Sequence, residues 1–206
     1  MTKIENLFTT KIYRKVLGGK AVGQLNRDLA RVSCLFAEED TAGQEWSAEK
    51  YQGGYTSYAS LNDLPWRAPE FAQLQDHIDK HVASFAEELD FDLGGGTLSL
   101  NSLWVNLLEP SGSHTGHIHP HSVISGTTYV AMPEGAAALK LEDPRLARMM
   151  AAPARRRDAR REQRNFVYIA PAVGDVLLWE SWLRHEVPMN MAEDDRISVS
   201  FNYGWG

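Results

Sequence analysis

Residues 196–203 read RISVSFNY, and this stretch decides the fold class of the chain. Apolar residues alternate along it with polar or charged ones: Ile197, Val199, Phe201 and Tyr203 against Arg196, Ser198, Ser200 and Asn202. Because successive side chains of a β-strand point to opposite faces, the pattern predicts a strand with one apolar and one polar face. On a surface strand the polar face meets water, whereas in a barrel mouth it would bind a ligand.

Short β-like segments separated by turn residues precede this stretch, and the N-terminal part is helical instead. The β-like segments span residues 98–108, 123–132, 137–141, 166–169 and 175–179. Apolar residues recur every three or four positions over residues 22–36 and 70–89, with Pro69 where a first-turn proline is tolerated. Short strands without regular helices between them favour an antiparallel sandwich or barrel. We therefore predict a mainly β protein with N-terminal helices, in which residues 1–95 pack outside a jelly-roll core of residues 96–206.

Composition restricts the number of domains, the kinds of partner and the cellular compartment that are expected for the protein. The 206 residues fit one domain, residues 1–206, and the net charge of −6 argues against nucleic acid and acidic membranes as partners. Cys34 is the single cysteine, which favours a reducing compartment. The first residues lack the apolar core of a signal peptide and no run is long enough to span a membrane, so a cytoplasmic protein is expected. The arginine-rich segment 155–164 is either a solvated loop or a lid that captures an anionic substrate.

Four of the seven histidines lie within residues 112–122, GSHTGHIHPHS: His114, His117, His119 and His121. In an extended segment residues i and i+2 point the same way, so a His-x-His pair can bring two imidazoles to one metal ion. Iron(II) oxygenases need three protein ligands on one face of the metal, and His185 is the remaining downstream candidate. A histidine-rich loop can also be structural or an incidental metal binder.

Arg196 follows His185 by eleven residues and begins the alternating strand. A five-carbon keto diacid bound to a metal needs a fixed cation for its far carboxylate, and the planar guanidinium suits that task. Ser198 would share the same strand face. The order HxH, then H, then RxS is the strongest functional signal in the chain.

The pair His77 and His81 has helical i, i+4 spacing, but it does not form a zinc-protease motif. That motif needs a glutamate directly after the first histidine, where this chain has Ile78. Both histidines are expected on a packed helix face, and Cys34 as an inert helix residue.

Taken together, HIHPHSVISGTTYV (117–130), LKLEDPR (139–145), VGDVLLWESWLRHEV (173–187) and DDRISVSFN (194–202) resemble a family of 2-oxoglutarate/Fe(II) oxygenases of bacteria and phages. The family pattern is close to HxHPxSxxSGxYYV, DPR, GxLLxFPSWLxH and RxSxSFN, and more distantly the chain is similar to prolyl 4-hydroxylases. The resemblance covers about half of the chain. It implies a double-stranded β-helix (a cupin-like jelly roll) and a dioxygenase that uses Fe(II) with 2-oxoglutarate as cosubstrate.

The resemblance also implies roles for particular residues. His117, His119 and His185 match the positions of the iron ligands, and Arg196 and Ser198 match those that hold the far carboxylate. Five further positions are less direct. Tyr129 and Asn106 match cosubstrate contacts of relatives or are packed strand residues. His121 falls at a variable position, and Thr128 and Glu180 replace a tyrosine and a proline of the family pattern.

The ligand at position 119 is the main departure from better-studied relatives, which carry aspartate there. Three neutral imidazoles would leave the site one unit more positive. Two alternatives stay open: a cupin-like three-histidine enzyme that does not use 2-oxoglutarate, and a non-catalytic metal or small-ligand binding module. The substrate is a small molecule or a protein side chain that the sequence does not identify, nucleic acid and membranes are not expected, and a homodimer remains open.

Overall fold

The computed structural model describes residues 2–17, 20–145 and 151–206, without the side chains of residues 20–22, so that of Val22 lies outside the described part. The three α-helices of this part are α1 Lys20–Glu39, α2 Thr41–Lys50 and α3 Pro69–Glu88. Its ten strands are β1 Tyr13–Val16, β2 Gly54–Thr56, β3 Leu98–Leu108, β4 His114–His117, β5 Ile124–Ala131, β6 Leu139–Glu142, β7 Phe166–Ile169, β8 Asp175–Glu180, β9 His185–Val187 and β10 Arg196–Trp205.

The strands form two sheets that face each other. One has six strands in the order β1-β8-β5-β10-β3-β2, and the other has four in the order β4-β9-β6-β7. Paired strands within both sheets run antiparallel. Tyr129 and Trp179 from the larger sheet pack with Leu141 and Ile169 from the smaller one. This two-layered antiparallel arrangement is the mainly β jelly roll that the strand pattern predicts.

Strand β10 lies in the middle of the six-stranded sheet, between β5 and β3. Its apolar residues Ile197, Val199, Phe201 and Tyr203 are buried in the main core, on the side that the helices cover. Its polar residues face the second sheet, because side chains alternate along a strand. The predicted two-faced strand is therefore confirmed, and its polar face points into the molecule.

Helices α1 and α3 cover the outer face of the larger sheet, and both predicted helical segments are confirmed. The apolar stripe of α3 includes Phe71, Leu74 and Ile78, each fully buried. Burying an apolar side chain of this size stabilises a fold by about 1.5–3 kcal/mol. Pro69 is the first residue of α3, where its missing N–H costs nothing. No helix within the described residues combines the length and the apolar character that a membrane crossing requires.

The N-terminal part contributes more than helices, which the sequence did not indicate. Strand β1 pairs with β8 and strand β2 pairs with β3, so residues before position 96 supply both edges of the six-stranded sheet. Strand β1 has one half-buried and three exposed residues, and β2 has only three residues. Neither has an alternating pattern, because the neighbouring strand and not the local sequence determines their conformation.

Candidate metal centre

A cavity lies between the two sheets. The larger sheet lines it mainly with polar and aromatic residues: Trp104, Asn106, Thr127, Tyr129, Trp179, Arg196, Ser198 and Ser200. The remaining wall includes His114, His117 and His185 from the smaller sheet, and Tyr51 and His119 from connecting segments.

Three histidines converge at one end of this cavity. His117 on β4 is directly opposite His185 on β9, and His119 follows β4 by two residues. One ring nitrogen from each of the three lies within 4.8 Å of the others, and the Nε2 atoms of His119 and His185 are 3.3 Å apart. The structure thus brings together the three predicted ligands, in a geometry that could hold one metal ion.

Two of these rings are oriented by the backbone. The Nδ1 atom of His117 lies 2.7 Å from the carbonyl oxygen of Thr115, and that of His185 lies 2.9 Å from the carbonyl of Leu183. A carbonyl only accepts, so each Nδ1 carries the proton and each Nε2 keeps its lone pair. In a metal-binding histidine, a hydrogen bond from the ring nitrogen that does not bind the metal fixes the tautomer and the direction of the ring.

Burial keeps the three rings neutral. Desolvation, together with the neighbouring His117, lowers the pKa of His119 to about 4. Desolvation also lowers the pKa of His117 and that of His185, the latter with a further contribution from His117. A histidine must be uncharged to bind a metal, and burial meets this condition for all three rings at neutral pH.

Arg196 lies in the same cavity and is only 2% exposed. Its Nε donates to the carbonyl of Ala137 at 3.2 Å, and its Nη1 donates to the hydroxyl of Ser198 at 3.2 Å. Among the described residues no carboxylate pairs with it. A buried cation without a counter-charge is costly, so this arrangement favours an anionic ligand.

Tyr129 provides a second polar group beside Arg196. Its ring centroid is 5.1 Å from the guanidinium carbon, and its hydroxyl is buried without a hydrogen-bond partner among the described residues. Burial raises the pKa of this phenol to about 12, so the hydroxyl stays protonated and can donate. Unsatisfied buried donors are rare in folded proteins, and a ligand that accepts from Tyr129 would remove the penalty.

Asn106 lines the cavity but is already engaged. Its Oδ1 accepts from the hydroxyl of Thr56 at 2.8 Å, and its Nδ2 donates to Ser200 at 3.1 Å. Ser200 in turn lies 2.7 Å from Thr127. Asn106 therefore links β2, β3, β10 and β5, a structural role that leaves the predicted cosubstrate contact a prediction.

The other candidate residues lie outside this cluster. His121 is exposed in a left-handed turn with a φ of 68°, and it does not belong to the group of convergent histidines. His77 and His81 are on α3, where His81 contacts the hydroxyl of Tyr13 at 2.9 Å. Cys34 is half-buried on α1, and burial raises the pKa of its thiol, as expected for an inert thiol.

Sequence reasoning missed several residues of the cavity wall, among them Tyr51 and His114. Their rings meet edge to face with centroids 5.0 Å apart, and His114 stacks on His117 at 4.2 Å. Burial raises the pKa of Tyr51 to about 12 and lowers that of His114 to about 3. His114 was visible as part of the histidine cluster, whereas Tyr51 directly follows helix α2, far away in sequence, and gave no signal.

The arginine-rich segment 155–164 is largely exposed and does not line the cavity. Two of its arginines pair locally, Arg156 with Asp158 at 2.5 Å and Arg160 with Glu162 at 3.5 Å. These contacts agree with a solvated loop, and a lid over the site stays a prediction.

Comparison with known sequences identifies one matching family. Residues 102–202 match the family described as "Putative 2OG-Fe(II) oxygenase". The matched segment begins on β3 and ends on β10, so it contains the three histidines, Tyr129 and Arg196. No curated protein sequence matches the chain.

Solved structures with the same fold are numerous. A prolyl-4-hydroxylase from Pseudomonas putida is 14% identical with a TM-score of 0.60, over 95% of this chain and 93% of that one. The non-haem α-ketoglutarate-dependent epimerase SnoN of nogalamycin biosynthesis is 17% identical with a TM-score of 0.62, over 95% and 76%. HygX from Streptomyces hygroscopicus, solved with nickel and 2-oxoglutarate, is 14% identical with a TM-score of 0.61, over 95% and 83%. These likenesses confirm the predicted fold.

Proposed function

We propose, on the premise that this chain belongs through residues 102–202 to the 2OG-Fe(II) oxygenase family, that it is an iron(II)- and 2-oxoglutarate-dependent dioxygenase. The reaction is a hydroxylase-type oxidation of a substrate. It is coupled to decarboxylation of 2-oxoglutarate, so that oxygen, 2-oxoglutarate and the substrate give succinate, carbon dioxide and the oxidised product.

The observation that carries this proposal is the presence of two complementary sites in one cavity. Three neutral histidines converge at one end, and an unpaired buried arginine, Arg196, lies in the same cavity. A metal site alone gives no reason to bury a cation without a counter-charge. A ligand that chelates the metal and also carries a distant carboxylate uses both.

The donor set of His117, His119 and His185 fits a divalent iron ion. Imidazole nitrogen suits iron, and three ligands on one face leave room for a bidentate cosubstrate and oxygen. When bound, the iron would supply the activation of oxygen that couples 2-oxoglutarate decarboxylation to substrate oxidation. The protein contributes the direction of the three Nε2 lone pairs, which the backbone carbonyls of Thr115 and Leu183 fix for two of the rings.

The residues around Arg196 fit the far carboxylate of 2-oxoglutarate. The guanidinium group has five N–H donors, of which the bonds to Ala137 and Ser198 occupy two. Ser198 accepts from Arg196 and retains its own hydroxyl proton for a ligand. Tyr129 adds a protonated hydroxyl without a partner among the described residues. These donors could satisfy a dicarboxylate in a cavity otherwise walled by aromatic rings.

The three-histidine enzyme without 2-oxoglutarate is less well supported, since it gives no role to Arg196. The non-catalytic binding module differs from the proposed enzyme in that it would release no succinate. We further propose a small molecule or a protein side chain as the substrate and the cytoplasm as the compartment, because the single cysteine cannot form an intrachain disulfide. Assembly as a homodimer remains a prediction.

Succinate release tests the proposed function. The protein, reconstituted anaerobically with iron(II), is given 2-oxoglutarate and then oxygen, and succinate is measured with and without each component. We expect slow succinate release without added substrate, dependent on iron, 2-oxoglutarate and oxygen together. Binding of iron without any succinate release would favour the binding module, and oxygen consumption independent of 2-oxoglutarate would favour the three-histidine enzyme.

A further inference from the structure

His119 differs from the other two metal-site histidines in what orients its ring. The Nδ1 atoms of His117 and His185 face backbone carbonyls, which can only accept a hydrogen bond. The Nδ1 atom of His119 instead lies 3.4 Å from the side-chain amide of Asn202, which is 5% exposed on β10. An amide can donate from one end and accept at the other, so the tautomer of His119 depends on which end faces it.

Without a metal, one arrangement satisfies every group. The Nδ2 of Asn202 donates to the Nδ1 of His119, whose proton is then on Nε2. That Nε2–H donates to the Nε2 of His185 at 3.3 Å, which is free to accept because its own Nδ1 donates to a carbonyl. In this state the Nε2 lone pair of His119 is not available to a metal.

Metal binding requires the opposite tautomer. If the Nε2 of His119 binds the metal, the Nδ1 of the same ring carries the proton and needs an acceptor. A rotation of the Asn202 amide by 180° provides this acceptor, because it exchanges Nδ2 for Oδ1. Before the amide turns, the hydroxyl of Ser125 donates to the Oδ1 of Asn202 at 2.8 Å, and the Nδ2 of Asn202 donates to Ser102 at 3.4 Å. Ser125 is also 2.7 Å from the hydroxyl of Ser181, and either can donate.

The surroundings of Asn202 therefore accept both orientations of its amide. Apart from His119, its side-chain partners are hydroxyls, and a hydroxyl both donates and accepts. After the amide turns, Ser125 accepts from Nδ2 and donates its own hydroxyl hydrogen bond to Ser181, and Ser102 donates to the amide oxygen.

We propose that Asn202 is the positioning residue of His119, and that its amide reverses when the metal binds, exchanging a donor for an acceptor at Nδ1. This inference rests on the proposed function, since it takes His119 as a metal ligand. In its unreversed orientation the same amide would donate to a carboxylate at position 119. One asparagine thus supports either an imidazole or an aspartate at this position, where the chain departs from better-studied relatives.

Zinc(II) affinity of the full-length protein, measured by calorimetry, tests the positioning role. Asn202→Leu keeps the bulk and removes both hydrogen-bonding ends, so we expect zinc binding about 10–100-fold weaker. Asn202→Asp only accepts, which suits the metal-bound tautomer of His119, and it should bind zinc within a few fold of the unmodified protein. Asn101→Leu, the same change at an exposed site on β3, is the control and should leave the affinity unchanged.

A double variant distinguishes positioning from a merely structural role. In the His119→Asp background, Asn202→Asp brings two carboxylates together and removes the donor, so we expect at least about tenfold weaker zinc binding than His119→Asp alone. The same substitution is thus tolerated beside the histidine and harmful beside the aspartate. An equal effect in both backgrounds would overturn the inference.

Nitrogen-15 NMR of the His119 ring gives a readout independent of activity. We expect the ring proton on Nε2 in the metal-free protein and on Nδ1 in the zinc-loaded protein, and already on Nδ1 in metal-free Asn202→Asp. The same tautomer with and without zinc, or full zinc affinity of Asn202→Leu, would overturn the inference while leaving the proposed function intact. Failure of the unmodified protein to bind zinc stoichiometrically would instead overturn the proposed function.

Discussion

Replacing Arg196 by methionine removes the buried cation of the cavity while keeping an unbranched, flexible side chain. Two of the five guanidinium donors bond to Ala137 and Ser198, which leaves three for the far carboxylate of 2-oxoglutarate. Removing one partner of a buried, charge-assisted contact costs about 2–5 kcal/mol, and each 1.4 kcal/mol is about tenfold in affinity. We therefore expect the dissociation constant of 2-oxoglutarate to rise at least about thirtyfold.

Most substitutions of buried residues lower the free energy of unfolding, but Arg196→Met in the metal-free protein should not. Losing the bonds to Ala137 and Ser198 costs about 1 kcal/mol each, but removing an unpaired buried charge relieves a desolvation penalty of several kcal/mol. The free energy of unfolding should thus stay equal or increase.

Calorimetry with 2-oxoglutarate on the metal-loaded protein measures the affinity, and urea unfolding measures the stability. Arg184→Met is the control, because Arg184 adjoins the ligand His185 in sequence but is 53% exposed, pairs with Glu142 and does not line the cavity. A 2-oxoglutarate affinity within about threefold of the unmodified protein, with metal binding intact, would refute the proposed role of Arg196.

Three further predictions concern the metal and the scaffold. Alanine at any of the three metal-site histidines should abolish stoichiometric iron(II) binding, whereas His121→Ala and His77→Ala should retain it; metal analysis after anaerobic reconstitution decides, and full retention by a metal-site variant contradicts the triad. His119→Asp should still bind iron(II) and 2-oxoglutarate, whereas His119→Leu, which lacks a donor atom, should not; equal binding by both would exclude His119 as a ligand. Asp40→Ala should lower the free energy of unfolding by about 1 kcal/mol, because Asp40 caps α2 by accepting from the Gly43 N–H at 3.0 Å. Burial raises the pKa of Asp40, but hydrogen bonds from Ser60, Gly43 and Tyr55 lower it more. The contribution of Asp40 to the free energy of unfolding is therefore present above pH 3.8 and is lost as the pH falls through the lowered pKa. A contribution that persists in strong acid would contradict this.

The sequence was most informative where a pattern follows from the local geometry of the chain. Two-residue alternation predicted the two faces of β10, and the His-x-His spacing predicted that His117 and His119 act together. Both rest on the fixed direction of side chains in extended backbone. The need for a third ligand and for a fixed cation added His185 and Arg196, and the family pattern matched both; they are far from the pair in sequence but line the same cavity.

The sequence was silent where tertiary contacts determine the outcome. Tyr51 reaches the cavity because α2 and β2 bring it beside His114, and no local pattern records that path. Strand β1 owes its conformation to pairing with β8, including the bond between Arg14 and the buried Asp175. Asn202 belonged to the polar face of β10, but only the distance to His119 indicates that it orients a metal ligand.

The central claim is that iron and 2-oxoglutarate bind together in this cavity, and anaerobic visible absorption tests it most directly. Chelation of iron(II) by 2-oxoglutarate gives a weak charge-transfer band that requires the metal and the keto acid on the same centre. The protein loaded with one equivalent of iron(II) should develop this band as 2-oxoglutarate is added, and it should saturate at one equivalent. Stoichiometric iron without any band at saturating 2-oxoglutarate would contradict the account.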